Sequence, residues 1–156
     1  MILEVIQGEG GVVPANKAWL QAVAKQCHES GALLIVDEVQ TGIGRTGTKF
    51  AFQQFGIDPD IITCAKALGN GLPIGAMLGK QALASAFGPG SHGTTFGGNK
   101  ISLASAKAVL TQLTPAFLKQ VQAKGQVVFE QLEDLIAPLP IVKDVTGTVS
   151  YTHLTL

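Results

Sequence analysis

The chain has 156 residues, 46% of them apolar and only 14% charged, and its 11 basic and 11 acidic residues cancel. That balance leaves no basic stripe for nucleic acid and no charged block for a solvated tail, and no apolar run approaches the roughly 18 residues of a membrane span. An ordinary soluble domain carries about a quarter charged residues, so this composition implies a surface largely covered by the rest of a longer chain, by a second subunit, or by both.

In chain order, residues 1–6 read as a strand, followed by a glycine turn, Gln7-Gly8-Glu9-Gly10-Gly11. Asn16 is a good N-cap for a helix from Lys17 to Ser30, with Gly31 as its stop. Trp19, Leu20, Val23, Ala24 and Cys27 recur along it at helical spacing. Leu33 to Asp37 is a second strand, followed by a glycine-rich loop and a short helix near Phe50 to Phe55. Asp58-Pro59-Asp60 is a turn, and Ile61 to Ala65 a third strand. Ile74 to Leu78 reads as a fourth strand, Gln81 to Phe87 as a short helix, and Gly88 to Gly98 as glycine-rich loop. Lys100 to Leu113 is a helix with apolar Ile101, Leu103, Ala104, Ala108 and Val109. Thr114-Pro115 starts another that runs to about Ile136, with proline at its favoured first position. Continuous apolar strands alternating with amphipathic helices indicate an α/β fold with a parallel sheet.

Cys27 lies in a predicted helix and Cys64 in a predicted buried strand, and no signal peptide is recognisable at Met1. Two reduced cysteines in the cytoplasm are therefore expected. His28, His92 and His153 are scattered without metal-ligand spacing. Both ends look cut: the chain opens inside a strand, and Ser150 to Leu156 carries no capping or turn signal. Residues from about Thr148 onward are expected to lie outside the native sequence.

Two side chains stand out because each ends a short apolar run. Asp37 closes Leu33-Leu34-Ile35-Val36 and opens Asp37-Glu38-Val39-Gln40-Thr41-Gly42; Lys66 follows Ile61-Ile62-Thr63-Cys64-Ala65 and opens Lys66-Ala67-Leu68-Gly69-Asn70-Gly71. In parallel sheets ligands bind beyond the carboxyl ends of the strands. A carboxylate and an amine placed there are what a pyridoxal phosphate (PLP) enzyme needs: the amine forms a Schiff base with the cofactor aldehyde, and the acid pairs with the pyridinium nitrogen. The plainer readings are a strand-end aspartate capping the next loop and a lysine reaching out to solvent. Gly42-Ile43-Gly44-Arg45-Thr46-Gly47 also fits GxGxxG. Two carboxylates before it would oppose a pyrophosphate, and in a dinucleotide fold the glycines follow the strand at once. Leu33 to Glu38 read as an ATPase strand has no GxxxxGK[ST] to serve it.

These segments, with His92-Gly93-Thr94-Thr95-Phe96-Gly97-Gly98-Asn99, resemble the class III aminotransferases from Ile2 to about Val145. The resemblance implies part of the large domain of the type I PLP aminotransferase fold. It assigns Lys66 and Asp37 to catalysis, and Gln40 to a hydrogen bond with the cofactor's phenolic oxygen. Thr95 would reach the cofactor phosphate of a partner subunit, and Glu9 would pair with a substrate-binding arginine. It implies PLP as cofactor, an amino donor and a 2-oxo acid as substrates, and a homodimer with a shared active site. The implied reaction moves an amino group between N-acetylornithine and 2-oxoglutarate, in arginine biosynthesis. Relatives acting on ornithine, succinylornithine or 4-aminobutyrate share much of the pattern. The departure at Lys100, where the family usually has proline, falls on the helix entry. Residues 1–113 would then be a partial PLP-binding domain, 114–147 a helix leading toward a small domain, and 148–156 a tail. The isolated chain is expected to be inactive. The rival is a non-catalytic α/β binding or assembly module that keeps the fold without the chemistry.

Overall fold

The structure, a computed structural model, describes residues 1–155. The predicted first strand is broken in two. β1 (Ile2–Leu3) belongs to the main sheet, and β2 (Ile6–Gln7) turns away to pair antiparallel with β3 (Val13–Pro14). The chain bends because Val5 and Ile6 both bury their side chains in the core, which a straight, alternating strand cannot do.

Helix α1 (Lys17–Ser30) has the predicted ends. The Asn16 side chain accepts a hydrogen bond from the Trp19 N–H at 3.0 Å, and Gly31 closes the helix at φ 71°, a left-handed conformation that glycine adopts at little cost. Its inward face is Leu20 and Cys27, with Val23 and Ala24 beside them. Trp19, expected on that face, is half exposed.

β4 (Ile35–Asp37) lies parallel to β1, and β5 (Ile61–Cys64) lies parallel to β4. β6 (Ala76–Gly79) pairs with β5 antiparallel, so the sheet is mainly parallel, as expected, with one antiparallel edge strand. A parallel return needs a crossover of a dozen or more residues, usually through a helix. The link from Cys64 to Ala76 holds only a 3₁₀ turn, Lys66–Gly69, so the chain comes back alongside. The sheet order is β1-β4-β5-β6, mostly parallel.

Two apolar clusters grip this sheet. The first joins α1 to Val5, Ile6, Leu34, Val36, Ala51, Phe55 and Ile57. The second joins Ile43, Cys64 and Leu68 to Ala106 of α2 (Lys100–Gln112) and to Leu113. In α2 the buried residues are Ser102 and Ala106, while Ile101 is 70% exposed and Leu103 and Leu110 are also exposed. The inward row is therefore 102, 106, 109 and 113, one helical stripe, and of the predicted apolar set only Val109 lies in it. The helix packs on the Lys66–Gly69 turn, where Ser105 Oγ donates to Gly69 O at 2.8 Å; only small side chains fit so close an approach.

α3 (Pro115–Leu135) begins at Thr114, whose hydroxyl accepts the Phe117 N–H at 3.2 Å. β7 (Asp144–Thr148) and β8 (Tyr151–Thr155) form an antiparallel hairpin. No strand is expected after 148 from sequence, so this is a difference. Tyr151 buries its ring in the first cluster and lies under the Arg45 guanidinium, 5.1 Å from the ring centroid. That contact holds a segment with no local turn chemistry. Among the described residues no single helix is long and apolar enough to cross a membrane. Cys27 and Cys64 are both buried and free.

Candidate active site

Asp37 is the last residue of β4 and stands in register with Thr63 of β5. Lys66 comes just past the end of β5, so both functional groups leave the same edge of two adjacent parallel strands. One Asp37 carboxylate oxygen accepts the Val39 N–H at 2.9 Å, which turns the chain back after the strand. Lys66 is exposed and its backbone sits at φ 43°. A left-handed non-glycine residue costs free energy that the surrounding packing must supply, and such residues gather at functional sites. Here the packing is the second apolar cluster, which holds Cys64 and Leu68 on either side of Lys66. Burial, with the nearby Glu38 carboxylate, pushes the Cys64 thiol up, so that cysteine stays protonated and acts as core.

Gln40 and Glu9, distant in sequence, meet: Gln40 Nε2 donates to Glu9 Oε1 at 3.0 Å. The turn bearing Glu9 is tied back by the Gly8 N–H donating to Glu4 Oε2 at 3.1 Å. Thr95 is not gathered with this group. It is exposed in the glycine-rich loop before α2, and among the described residues no hydrogen bond links it to Asp37, Gln40 or Lys66.

The loop that fits GxGxxG does not form a phosphate cradle of the dinucleotide type. Gly42 packs against the Glu38 carbonyl, which a Cβ would approach to 2.8 Å, and Gly44 and Gly47 take φ 85° and 82°. The loop leads into a 3₁₀ turn, Ala51–Gln54, rather than an α-helix. The glycines serve a tight chain path.

Sequence reasoning passed over Glu38 as merely an acid beside Asp37. It is 1% exposed. Its Oε2 accepts the Thr41 hydroxyl at 2.6 Å and the Ala51 N–H at 3.0 Å, and its Oε1 accepts the Phe52 N–H at 2.8 Å. Burial pushes its carboxyl up, while these three donors pull it back. The legible signal was Thr41, three residues on, which could return a hydroxyl to the acid.

The residues present fit PLP. The donor set is an amine, a carboxylate and an amide around one strand edge. Beside Asp37, the buried Thr63 Oγ1 has no hydrogen-bond partner among the described residues, a polar atom of the kind that a site completed by further groups leaves open. Among the described residues no group of histidine, cysteine, aspartate or glutamate could hold a metal ion.

The chain matches the class III aminotransferase family over residues 1–149, and it belongs to that family. Members of the family are PLP enzymes. Over 147 residues the chain is 58% identical to the acetylornithine aminotransferase of Lactiplantibacillus plantarum, covering 94% of this chain and 38% of that one. Among solved structures, N-acetylornithine aminotransferase from Stenotrophomonas maltophilia superposes with a TM-score of 0.81 at 36% identity, over 95% of this chain and 38% of that one. Ornithine aminotransferase from Toxoplasma gondii, whose structure shows partial occupancy of PLP at the active site, superposes at 0.90 with 32% identity, over 99% and 37%. The chain thus spans well under half the length of the curated relatives it matches.

Proposed function

We propose that this chain is the part of an acetylornithine aminotransferase that carries the cofactor-anchoring lysine, and that the whole protein moves an amino group from N-acetylornithine to 2-oxoglutarate in arginine biosynthesis. The observation that carries the reading is the placement of Asp37 and Lys66 at the carboxyl ends of adjacent parallel strands. PLP, when bound, supplies an electron sink for breaking bonds at the donor's Cα.

The chain's own residues have separate tasks. The Lys66 amine would anchor the cofactor and would serve as the base that moves a proton at the substrate carbon, a role suited to a lysine held at a strand end. The Asp37 carboxylate would accept a hydrogen bond from the protonated ring nitrogen and so favour its charged form. Gln40, whose amide donates to Glu9 in this structure, would offer a donor to the phenolic oxygen without adding charge. Glu9, already joined to Gln40, faces the substrate side and exchanges partners as substrates alternate. Thr95 contacts the phosphate held by a partner subunit in a homodimer. We place the family's large-domain portion at residues 1–113, a connecting segment at 114–147 and a tail at 148–156, near the end of the family match at 149; the expected helix over 114–147 extends only to Leu135, and most of the tail pairs with β7 as β8. The setting is cytoplasmic, in keeping with the two free cysteines.

The test is turnover by the full-length protein supplied with PLP, 2-oxoglutarate and, in parallel, N-acetylornithine, ornithine, succinylornithine or 4-aminobutyrate. The highest kcat/KM should fall on N-acetylornithine. A higher value for ornithine would move the assignment to that branch. No PLP uptake and no turnover with any donor would leave the non-catalytic module.

A further inference from the structure

Glu38 is held more completely than any other carboxylate described. All three of its side-chain partners donate, which is the set an ionised carboxylate takes. Its main chain is fixed as well: the Glu38 N–H donates to Thr63 O at 2.8 Å, and Glu38 O accepts the Gly42 N–H at 2.9 Å. One residue therefore joins four pieces: the β4–β5 strand pair, the turn from 38 to 42, the fully buried Thr41 and the start of the 3₁₀ turn at Ala51. Asp37 precedes it and Gln40 follows two residues later, so both leave a backbone that Glu38 clamps from two sides.

We propose that Glu38 is a positioning residue, which through Thr41 and the Ala51–Phe52 amides fixes the directions in which Asp37 and Gln40 face PLP. The inference rests on the cofactor reading above. It differs from a purely structural anchor in what it demands. An anchor stabilises the fold whether or not cofactor is present, whereas a positioning residue controls how tightly and in what orientation PLP is held. Glu38 itself touches no reacting atom: its two oxygens are occupied by Thr41, Ala51 and Phe52. Thr41 is the better handle for a test. Replacing its hydroxyl by a methyl keeps the shape and removes one hydrogen bond to the acid, while the two backbone donors remain.

The experiment uses the full-length protein, stripped of PLP and titrated with it, for the parent and for Glu38→Gln, Thr41→Val and Thr41→Ser. Uptake of PLP by the parent is read first; its absence would sink the cofactor reading, and this inference with it. With uptake confirmed, Glu38→Gln and Thr41→Val should each raise the PLP dissociation constant about tenfold, the size of one hydrogen bond to a charged group. The circular dichroism of the bound cofactor should change as well. Thr41→Ser, which restores the hydroxyl, should stay within about threefold of the parent. If Glu38→Gln does not fold, the Thr41 pair decides alone. A lowered melting temperature of the apo protein, with PLP affinity and dichroism unchanged in Thr41→Val, would show a structural anchor only and overturn the proposal.

Discussion

Asp37 and Thr63 stand in register across the parallel β4–β5 pair, and the buried hydroxyl of Thr63 has no partner among the described residues. An acid and an unused donor therefore sit side by side where the two strands end.

In the proposed function the Asp37 acid is the group whose charge matters. In the full-length protein, Asp37→Asn should still take up PLP, because the amide keeps the shape and can still accept the Val39 N–H. Turnover should fall roughly a hundredfold or more, the usual loss when a preorganised charge is removed from a reacting centre. Steady-state kinetics with matched PLP-binding measurements check this. Parental kcat in Asp37→Asn would remove the assigned role.

Much of the frame is legible from single residues. Asn16 and Gly31 bracket α1 as read, and Thr114-Pro115 starts α3, because caps depend on local chemistry that needs no partner. Asp37 and Lys66 are legible for a similar reason, each ending a short apolar run. The direction of β6 is not, since a four-residue strand reads the same both ways and the connection decides. Nor is the inward face of α2: closeness to the Lys66–Gly69 turn selects Ser102 and Ala106 over bulkier neighbours. The clamp at Glu38 depends on amides 13 and 14 residues away, and no local pattern announces it.

Removing the α1 cap gives a local prediction. Asn16→Ala should weaken the helix by about 1 kcal/mol. Native-state hydrogen exchange should show faster exchange in the first turn of Lys17–Ser30, with the Ser30 end unchanged. Uniform acceleration along the helix would mean that Asn16 acts through packing instead.

Acid stability should depend on Asp60. The Leu34 N–H first, and Lys80 after it, hold the Asp60 carboxyl below the usual carboxylate range, with burial opposing. A lowered folded value means stability that is complete above the ordinary pKa of about 3.9 and is lost as pH falls through the folded value. Lys80, raised chiefly by Asp58, acts at the other end, its contribution disappearing only as pH rises through its folded value. Urea unfolding of Asp60→Asn against the parent should show a gap at neutral pH that narrows as the solution is acidified. A constant gap would contradict the linkage.

Sharing of the site between subunits can be read by complementation. A Lys66→Ala subunit mixed with a Thr95→Asp subunit should form heterodimers in which one site carries both changes and the other neither. Activity should reappear, up to about half that of a parental dimer by site counting on a two-fold assembly. Exchange without recovery above the mean of the two inactive parents would place Thr95 in its own chain's site.

The central claim is that Lys66 holds the cofactor. Borohydride treatment of the full-length protein loaded with PLP fixes the cofactor to whichever amine it occupies, and peptide mass analysis locates it. The label should fall on the peptide containing Lys66, and Lys66→Ala should carry none. Label on Lys80 or Lys100 instead, or equal labelling of the Lys66→Ala protein, would contradict the account.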